Sequence, residues 1–217
     1  LKLFLENKLI KAEKCQVIPG SGVNTQKFVP VLKTNMNFQF LFIGRLLYDK
    51  GIREYIEAVK ILKLKYPQVT FAILGPLYQN NATAITQETL NSWIQEGFIN
   101  YLGQTDAVEE VMQHANCVVL PSYREGLSKV LIEASSMGLP IVTTNVPGCR
   151  DVVIDNETGY LCKVKNSVDL ASKMEKMVLL SVEERNVMGE NARKRAIEVF
   201  DEKIIIEHYK NAINAIV

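Results

Sequence analysis

Glu125 and Glu133 stand eight positions apart in the stretch Ser122-Tyr123-Arg124-Glu125-Gly126-Leu127-Ser128-Lys129-Val130-Leu131-Ile132-Glu133, and a glycine directly follows the first of them. The apolar run Ala115 to Leu120 before it reads as a buried parallel strand. A strand, a glycine turn and a helix make an anion site, because the first N–H groups of the helix have no partner inside the helix. From Gly126 to Glu133 is two helical turns, so Glu133 is expected on the face that carries the turn. Amide donors for phosphate beside carboxylate acceptors for hydroxyls suit a phosphorylated, polyhydroxylated ligand. The helix dipole alone would explain Glu125. It explains Glu133 less well, because Val130, Leu131, Ile132 and Ala134 surround it with apolar residues. A half-buried carboxylate needs hydrogen-bond partners, and a ribose diol supplies two.

A second constellation is Gly44-Arg45-Leu46-Leu47-Tyr48-Asp49-Lys50-Gly51, with two cations between glycines in a strand-to-helix turn. Arg45 and Lys50 could neutralise a diphosphate, each charge-assisted hydrogen bond contributing roughly 1.5–3 kcal/mol. The segment is neither a Walker A loop nor a G-x-G-x-x-G turn, and by itself it reads first as a solvated loop with surface cations. Asn145-Val146-Pro147-Gly148-Cys149-Arg150-Asp151 follows another strand and reads as a turn or as a third site loop. His114 and His208 are expected to be structural. Cys15, Cys117, Cys149 and Cys162 form no C-x-x-C pair, and Cys117 and Cys162 sit in strand-like runs as small core residues. The chain has no Asp-x-Asp, and no metal is expected.

These residues need a scaffold that brings several loops to one edge. Strands are expected at Phe38–Ile43, Val69–Leu74, Ile99–Leu102, Ala115–Leu120, Ile141–Thr144 and Gly159–Cys162. Helical spacing covers residues 1–12, with Leu1, Phe4, Leu5 and Leu9 on one side. It returns through Ile52, Tyr55, Ile56, Val59 and Leu62, with Asp49 as the expected N-cap. Further helices run through Leu90, Trp93 and Ile94, through Val108, Val111 and Met112, through Glu133 up to Gly138, and over 167–180, 182–199 and 202–216. Pro19 to Gly22 is a turn cluster. Alternating strands and helices predict an α/β fold, a Rossmann-like parallel sheet with helices on both faces. Such sheets bind ligands beyond the carboxyl ends of their strands, where Gly44-Arg45, Gly75-Pro76, Tyr101-Leu102-Gly103 and Pro121 to Gly126 all fall.

The 217 residues are 47% hydrophobic and 23% charged, an ordinary globular balance. A formal net charge of +1 gives no nucleic-acid footprint. No apolar run approaches the length of a membrane span. The first residue is Leu, and the chain is read as a piece whose missing part lies N-terminal to it.

Taken together, the ordered motifs resemble the C-terminal domain of a GT-B glycosyltransferase of glycosyltransferase family 4. The resemblance runs from Ile18-Pro19-Gly20-Ser21-Gly22-Val23 to the final helix. It rests on Gly44-Arg45 with Lys50-Gly51, Leu74-Gly75, Leu102-Gly103, Pro121-Ser122 and Glu125-x7-Glu133 in order. Tyr123-Arg124-Glu125-Gly126 and Val146-Pro147-Gly148-Cys149-Arg150 further look like bacterial surface-polysaccharide and lipid-linked oligosaccharide transferases. The resemblance implies a nucleotide-sugar-binding domain over 23–200, an interdomain segment over 1–22, and a C-terminal helix over 201–217 that packs toward the missing N-terminal domain. It implies that Arg45 and Lys50 hold the donor diphosphate, with Gly44 and the N–H groups of Gly126, Leu127 and Ser128 beside them. Glu133 would bind the ribose, Glu125 the transferred sugar, and the strand end Asn100-Tyr101-Leu102 would face the base. The donor would be a nucleotide-diphosphate sugar, UDP-linked first, with no further cofactor. Transfer would retain configuration. The acceptor, a glycan or lipid-linked glycan, would be bound through the missing domain, in the cytoplasm or at the cytoplasmic membrane face, and the isolated piece would transfer little sugar. Two departures stand out: Pro76 with a long Tyr78–Thr86 loop replaces a short glycine-rich turn, and the acceptor domain is absent. A nucleotide- or phosphosugar-binding module without transfer, and a nucleotide-sugar epimerase of the same architecture, remain open alternatives.

Overall fold

Short apolar runs bounded by glycine, proline or polar turns form parallel strands because burial on both faces suits a continuous apolar run better than an amphipathic helix does. The computed structural model describes residues 2–12, 15, 17–31, 37–78 and 81–214. Its strands are β1 (Gln39–Ile43), β2 (Thr70–Leu74), β3 (Asn100–Tyr101), β4 (Cys117–Leu120), β5 (Ile141–Thr144) and β6 (Gly159–Cys162). They form one six-stranded sheet of order β3-β2-β1-β4-β5-β6, with every pairing parallel. The expected strands are all present, and the first four are trimmed by one or two residues where the apolar run outlasts the pairing.

The helices are α1 (Lys2–Glu6), α2 (Ile52–Lys65), α3 (Gln87–Gln95), α4 (Val108–Met112), α5 (Lys129–Ser136), α6 (Ser167–Leu179), α7 (Val182–Val199) and α8 (Glu202–Asn214). Chain order reverses direction between β1 and β4. Right-handed crossovers therefore put α2 and α5 on opposite faces. There α2 packs on α6 and α5 on α7. The reversal also opens a crevice between the ends of β1 and β4. The loops leaving those two strands carry Arg45 to Lys50 and Glu125 to Ser128.

Two local expectations are corrected. The first helix does not run to residue 12: Lys8 takes a left-handed φ of 54° and the Leu9 N–H bonds back to the Phe4 carbonyl, which ends the helix. Phe4 and Leu9 are exposed rather than packed, and Leu1 lies outside the described residues. Asp49 is not the N-cap of α2. It belongs to a single 3-10 turn, Tyr48–Lys50, and Gly51 caps the helix at φ 75°. The Asp49 carbonyl is instead committed to the next loop, as described below. On α8, Ile205 is buried whereas Ile206, Tyr209 and Ile213 are exposed; Ile216 lies outside the described residues.

The core is aromatic at its centre. Phe40 and Phe71 are register neighbours on β1 and β2 with rings stacked at 5.6 Å, and Phe42 leans on Tyr55 from α2. Tyr55 is wholly buried, and its hydroxyl donates to the Ala72 carbonyl at 3.2 Å. Burial pushes that phenol well up, so it stays neutral. Tyr55→Phe is expected to cost about 0.5–1.5 kcal/mol. The measurement is urea unfolding: a lowered midpoint at unchanged slope is the expected outcome.

Candidate functional site

Lys50 ends the 3-10 turn after β1, and Glu125 lies in the loop after β4. Separated by 75 positions, they meet at 2.5 Å between Nζ and Oε1, with side chains only 19% and 12% exposed. The two loops are locked backbone to backbone. The Tyr123 N–H donates to the Asp49 carbonyl at 2.8 Å, and the Ser122 hydroxyl donates to the same oxygen at 3.2 Å. The Tyr123 hydroxyl donates to Glu54 at 2.7 Å; burial, with that carboxylate behind it, holds the phenol far above its ordinary range. The Thr144 hydroxyl of β5 donates to the Ser122 carbonyl.

The stretch Asn145–Asp151 is a turn, and it buttresses the site. Gly148 sits at φ 79°, where a Cβ would lie 2.5 Å from the Gly126 carbonyl oxygen and 2.6 Å from that of Glu125. The Gly148 carbonyl accepts the Ser128 N–H at 3.2 Å. This corrects one expectation: Ser128 cannot offer its N–H to a ligand here. It is extended, at φ −75° and ψ 109°, and α5 begins one residue later. Among the described residues, the N–H groups of Gly126 and Leu127, and of Lys129, Val130 and Leu131 in the first turn, have no acceptor.

Glu133 lies one turn further along α5 and is only 7% exposed. Burial raises its carboxyl; Lys129 and Lys27 pull it back, and Glu109 adds to the rise. The Lys129 ammonium is 3.7 Å from Oε1. Glu133 opens on a cavity of about 410 Å³ whose walls include Ser21, Gly22, Lys27, Thr105 and Lys129. The wall at Ser21 to Lys27 is held from behind. The Val23 N–H donates to the Phe200 carbonyl at 2.8 Å, and Arg193 donates to the carbonyls of Thr25 and Phe28 at 2.9 and 2.7 Å. Lys27 pairs with Glu109 at 3.1 Å.

The structure therefore joins Lys50 directly to Glu125, separates both from Glu133, and strings the free amides between them. Arg45 is exposed, with its guanidinium 5.2 Å from the Tyr78 ring centroid and no ion-pair partner among the described residues. Gly44 continues β1, its N–H donating to the Leu74 carbonyl at 3.0 Å. The Tyr78–Thr86 loop, of which residues 79 and 80 lie outside the described residues, docks on the turn that carries Lys50: the Tyr48 N–H donates to the Thr83 carbonyl at 2.7 Å. Asn100, Tyr101 and Leu102 do not line the Glu133 cavity. The Tyr101 hydroxyl is committed to the Gly75 carbonyl at 3.0 Å, and the residues that reach the cavity beyond β3 are Thr105 and Asp106. Sequence reasoning missed Lys27, Thr105 and Lys129. Only the glycine cluster near Pro19 signalled that the N-terminal turn approaches another backbone.

Among the described residues, no group of three His, Cys, Asp or Glu side chains is placed to hold a metal ion, and no helix is long and apolar enough to cross a membrane. A larger groove of about 740 Å³ runs past Pro30, Met137, Val182 and Ile197 at the C-terminal end of α5, away from these loops.

Residues 24–195 match the sequence profile of the family described as Glycosyl transferases group 1. The chain is 32% identical over 219 aligned positions to N,N'-diacetylbacillosaminyl-diphospho-undecaprenol alpha-1,3-N-acetylgalactosaminyltransferase of Campylobacter jejuni, an alignment covering 95% of this chain and 56% of that protein. It is 31% identical to the capsular polysaccharide biosynthesis glycosyltransferase CapM of Staphylococcus aureus, covering 83% of this chain and 47% of that one. The chain thus spans about half the length of these curated relatives. Its fold superposes with a TM-score of 0.82, at 21% identity, on Anabaena Alr3699/HepE solved in complex with UDP, covering 99% of this chain and 61% of that one.

Proposed function

The chain belongs to the group 1 glycosyl transferases, and from that premise we propose that it is the donor-binding domain of a retaining glycosyltransferase. The donor is a nucleotide-diphosphate sugar, UDP-linked in the leading case, and the group moved is a hexose or N-acetylhexosamine. The acceptor is a glycan or lipid-linked glycan of cell-surface polysaccharide synthesis, on the cytoplasmic side. The observation that carries this reading is the Lys50–Glu125 pair, set in the crevice between β1 and β4 beside a row of unpaired amides. The relative in Campylobacter, by its name, moves an N-acetylgalactosaminyl group onto a sugar carried on a lipid diphosphate, and the solved neighbour holds UDP.

In this reading the diphosphate lies over Gly126 to Leu131, where five free N–H groups and the α5 dipole meet it. Lys50 supplies a fixed ammonium. Arg45, stacked on Tyr78, swings in from the rim. As the bond between the sugar's anomeric carbon and the phosphate oxygen breaks, negative charge grows on the leaving diphosphate, and these fixed donors stabilise it where it forms. Glu133 accepts hydrogen bonds from the ribose hydroxyls, with Thr105 and Lys27 toward the base. Glu125 faces the transferred sugar. The acceptor and the remaining groups of the reaction centre come from the rest of the relatives' length, so this chain by itself binds donor and transfers little.

Calorimetric titration with UDP, GDP and ADP tests the reading. One nucleotide is expected to bind in preference, and Lys50→Ala to weaken it at least about tenfold, matching loss of one charge-assisted contact. Equal, unaltered binding by Lys50→Ala, or no binding of any of the three, contradicts it.

A further inference from the structure

We propose that Glu125 makes the site discriminate between the nucleotide sugar and the nucleotide diphosphate left after transfer, a role that rests on the donor-site reading above. Lys50 and Glu125 meet at 2.5 Å with both side chains mostly buried. In the empty site the two charges neutralise each other. The loops that carry them cannot part easily, because the Tyr123–Asp49 backbone bond ties them together and the Gly148 backbone lies too close to the carbonyls of Glu125 and Gly126 to admit a Cβ.

A phosphate group that binds Lys50 must share that ammonium with Glu125. At neutral pH phosphate oxygens and a carboxylate are both acceptors and both anionic, so neither satisfies the other. A sugar esterified to the terminal phosphate changes this. Its hydroxyls are donors, and they satisfy the carboxylate that the phosphate has deprived of its cation. The free nucleotide diphosphate brings no such donor, and its terminal phosphate carries more negative charge than the ester does. A mostly buried carboxylate is then left facing an anion, the kind of unpaired charge by which a site rejects the wrong ligand. The same residue that holds the sugar therefore promotes departure of the leaving group once the sugar is gone.

Removing the charge while keeping the shape separates this from a merely structural role. Affinities of the chain and of Glu125→Gln are measured by calorimetry for matched pairs: UDP with UDP-glucose, UDP-N-acetylglucosamine and UDP-N-acetylgalactosamine, GDP with GDP-mannose, and ADP with ADP-glucose. For the nucleotide that the unaltered chain prefers, Glu125→Gln is expected to bind the bare diphosphate about tenfold more tightly and its best nucleotide sugar more weakly. Glu125→Ala is expected to move the bare diphosphate in the same direction. A loss of affinity for both ligands by the same factor, or an unchanged ratio, overturns the proposal and leaves Glu125 as a support for Lys50. Failure of the unaltered chain to bind any member of the panel removes the donor-site reading itself, and this inference with it.

Discussion

Glu133→Gln is expected to stabilise the empty chain at pH 7 and to weaken its binding of nucleotide about ten- to hundredfold, the loss of one or two hydrogen bonds to a charged acceptor. The two effects have one origin. Glu133 is 7% exposed, and burial raises its carboxyl above the ordinary value of 4.5. The nearby Lys129 ammonium is 69% exposed on its side chain, so water screens much of its help. The folded chain therefore holds a proton on Glu133 more tightly than the unfolded chain does. The stability linked to this group is fully present below the ordinary carboxylate range and is lost as pH rises through the shifted value. As the carboxylate ionises, the fold takes on its desolvation cost, which glutamine does not carry. Nucleotide binding runs the other way, because the ionised form is the better acceptor for ribose hydroxyls. Thermal unfolding followed from pH 4 to 7 should show the unaltered chain losing stability relative to Glu133→Gln. Titrations over the same range should show its nucleotide affinity rising. A variant that is both less stable and fully competent to bind would refute this account of Glu133.

Gly51→Ala is expected to be far more damaging than the addition of one methyl suggests. Gly51 sits at φ 75°, and a Cβ there would lie 2.1 Å from the Pro121 carbonyl oxygen. The obstacle is backbone, at the end of a buried strand whose following residues are hydrogen-bonded to Asp49, so no flexible side chain can give way. Gly97 provides the control: its φ is 73°, but nothing lies within 4 Å of the added carbon. Gly97→Ala should cost only the left-handed strain, about 1–2 kcal/mol. Gly51→Ala adds the clash and should cost roughly 2–4 kcal/mol. It should also abolish nucleotide binding, since Lys50 precedes it and would be pushed off Glu125. Urea unfolding of both variants and a titration of whichever folds check this; equal costs would show that the β1 and β4 loops are not tightly braced.

Much of the scaffold was legible because it depends on short-range pattern. Apolar runs bounded by glycine, proline or polar residues mark all six strands, whereas nothing in that pattern specifies the reversal between β1 and β4. Glu133 was legible for the same reason, being a lone carboxylate among Leu131, Ile132 and Ala134. What stayed hidden is pairing across distance. Nothing local says that Lys50 meets Glu125, that Arg45 rests on Tyr78, or that Lys27 faces the cavity beside Glu133. The start of α5 was misplaced because Gly126, Leu127 and Ser128 are compatible with a first helical turn, and only the Gly148 carbonyl, brought in from β5, holds Ser128 extended. Asp49 has the right side chain for an N-cap, but its carbonyl is taken by Tyr123 and Ser122, and the left-handed Gly51 starts the helix instead.

The central claim, that a nucleotide diphosphate lies over the free amides between Lys50 and Glu133, is tested most directly by amide NMR of the chain titrated with its preferred nucleotide. The expected result is that the largest shifts fall on Gly126, Leu127, Lys129, Val130 and Leu131 and on the Lys50–Gly51 turn, with smaller ones at Ser21, Gly22 and Thr105. Shifts gathered instead around Met137, Gly138, Arg193 and Ile197, at the far end of α5, would contradict it.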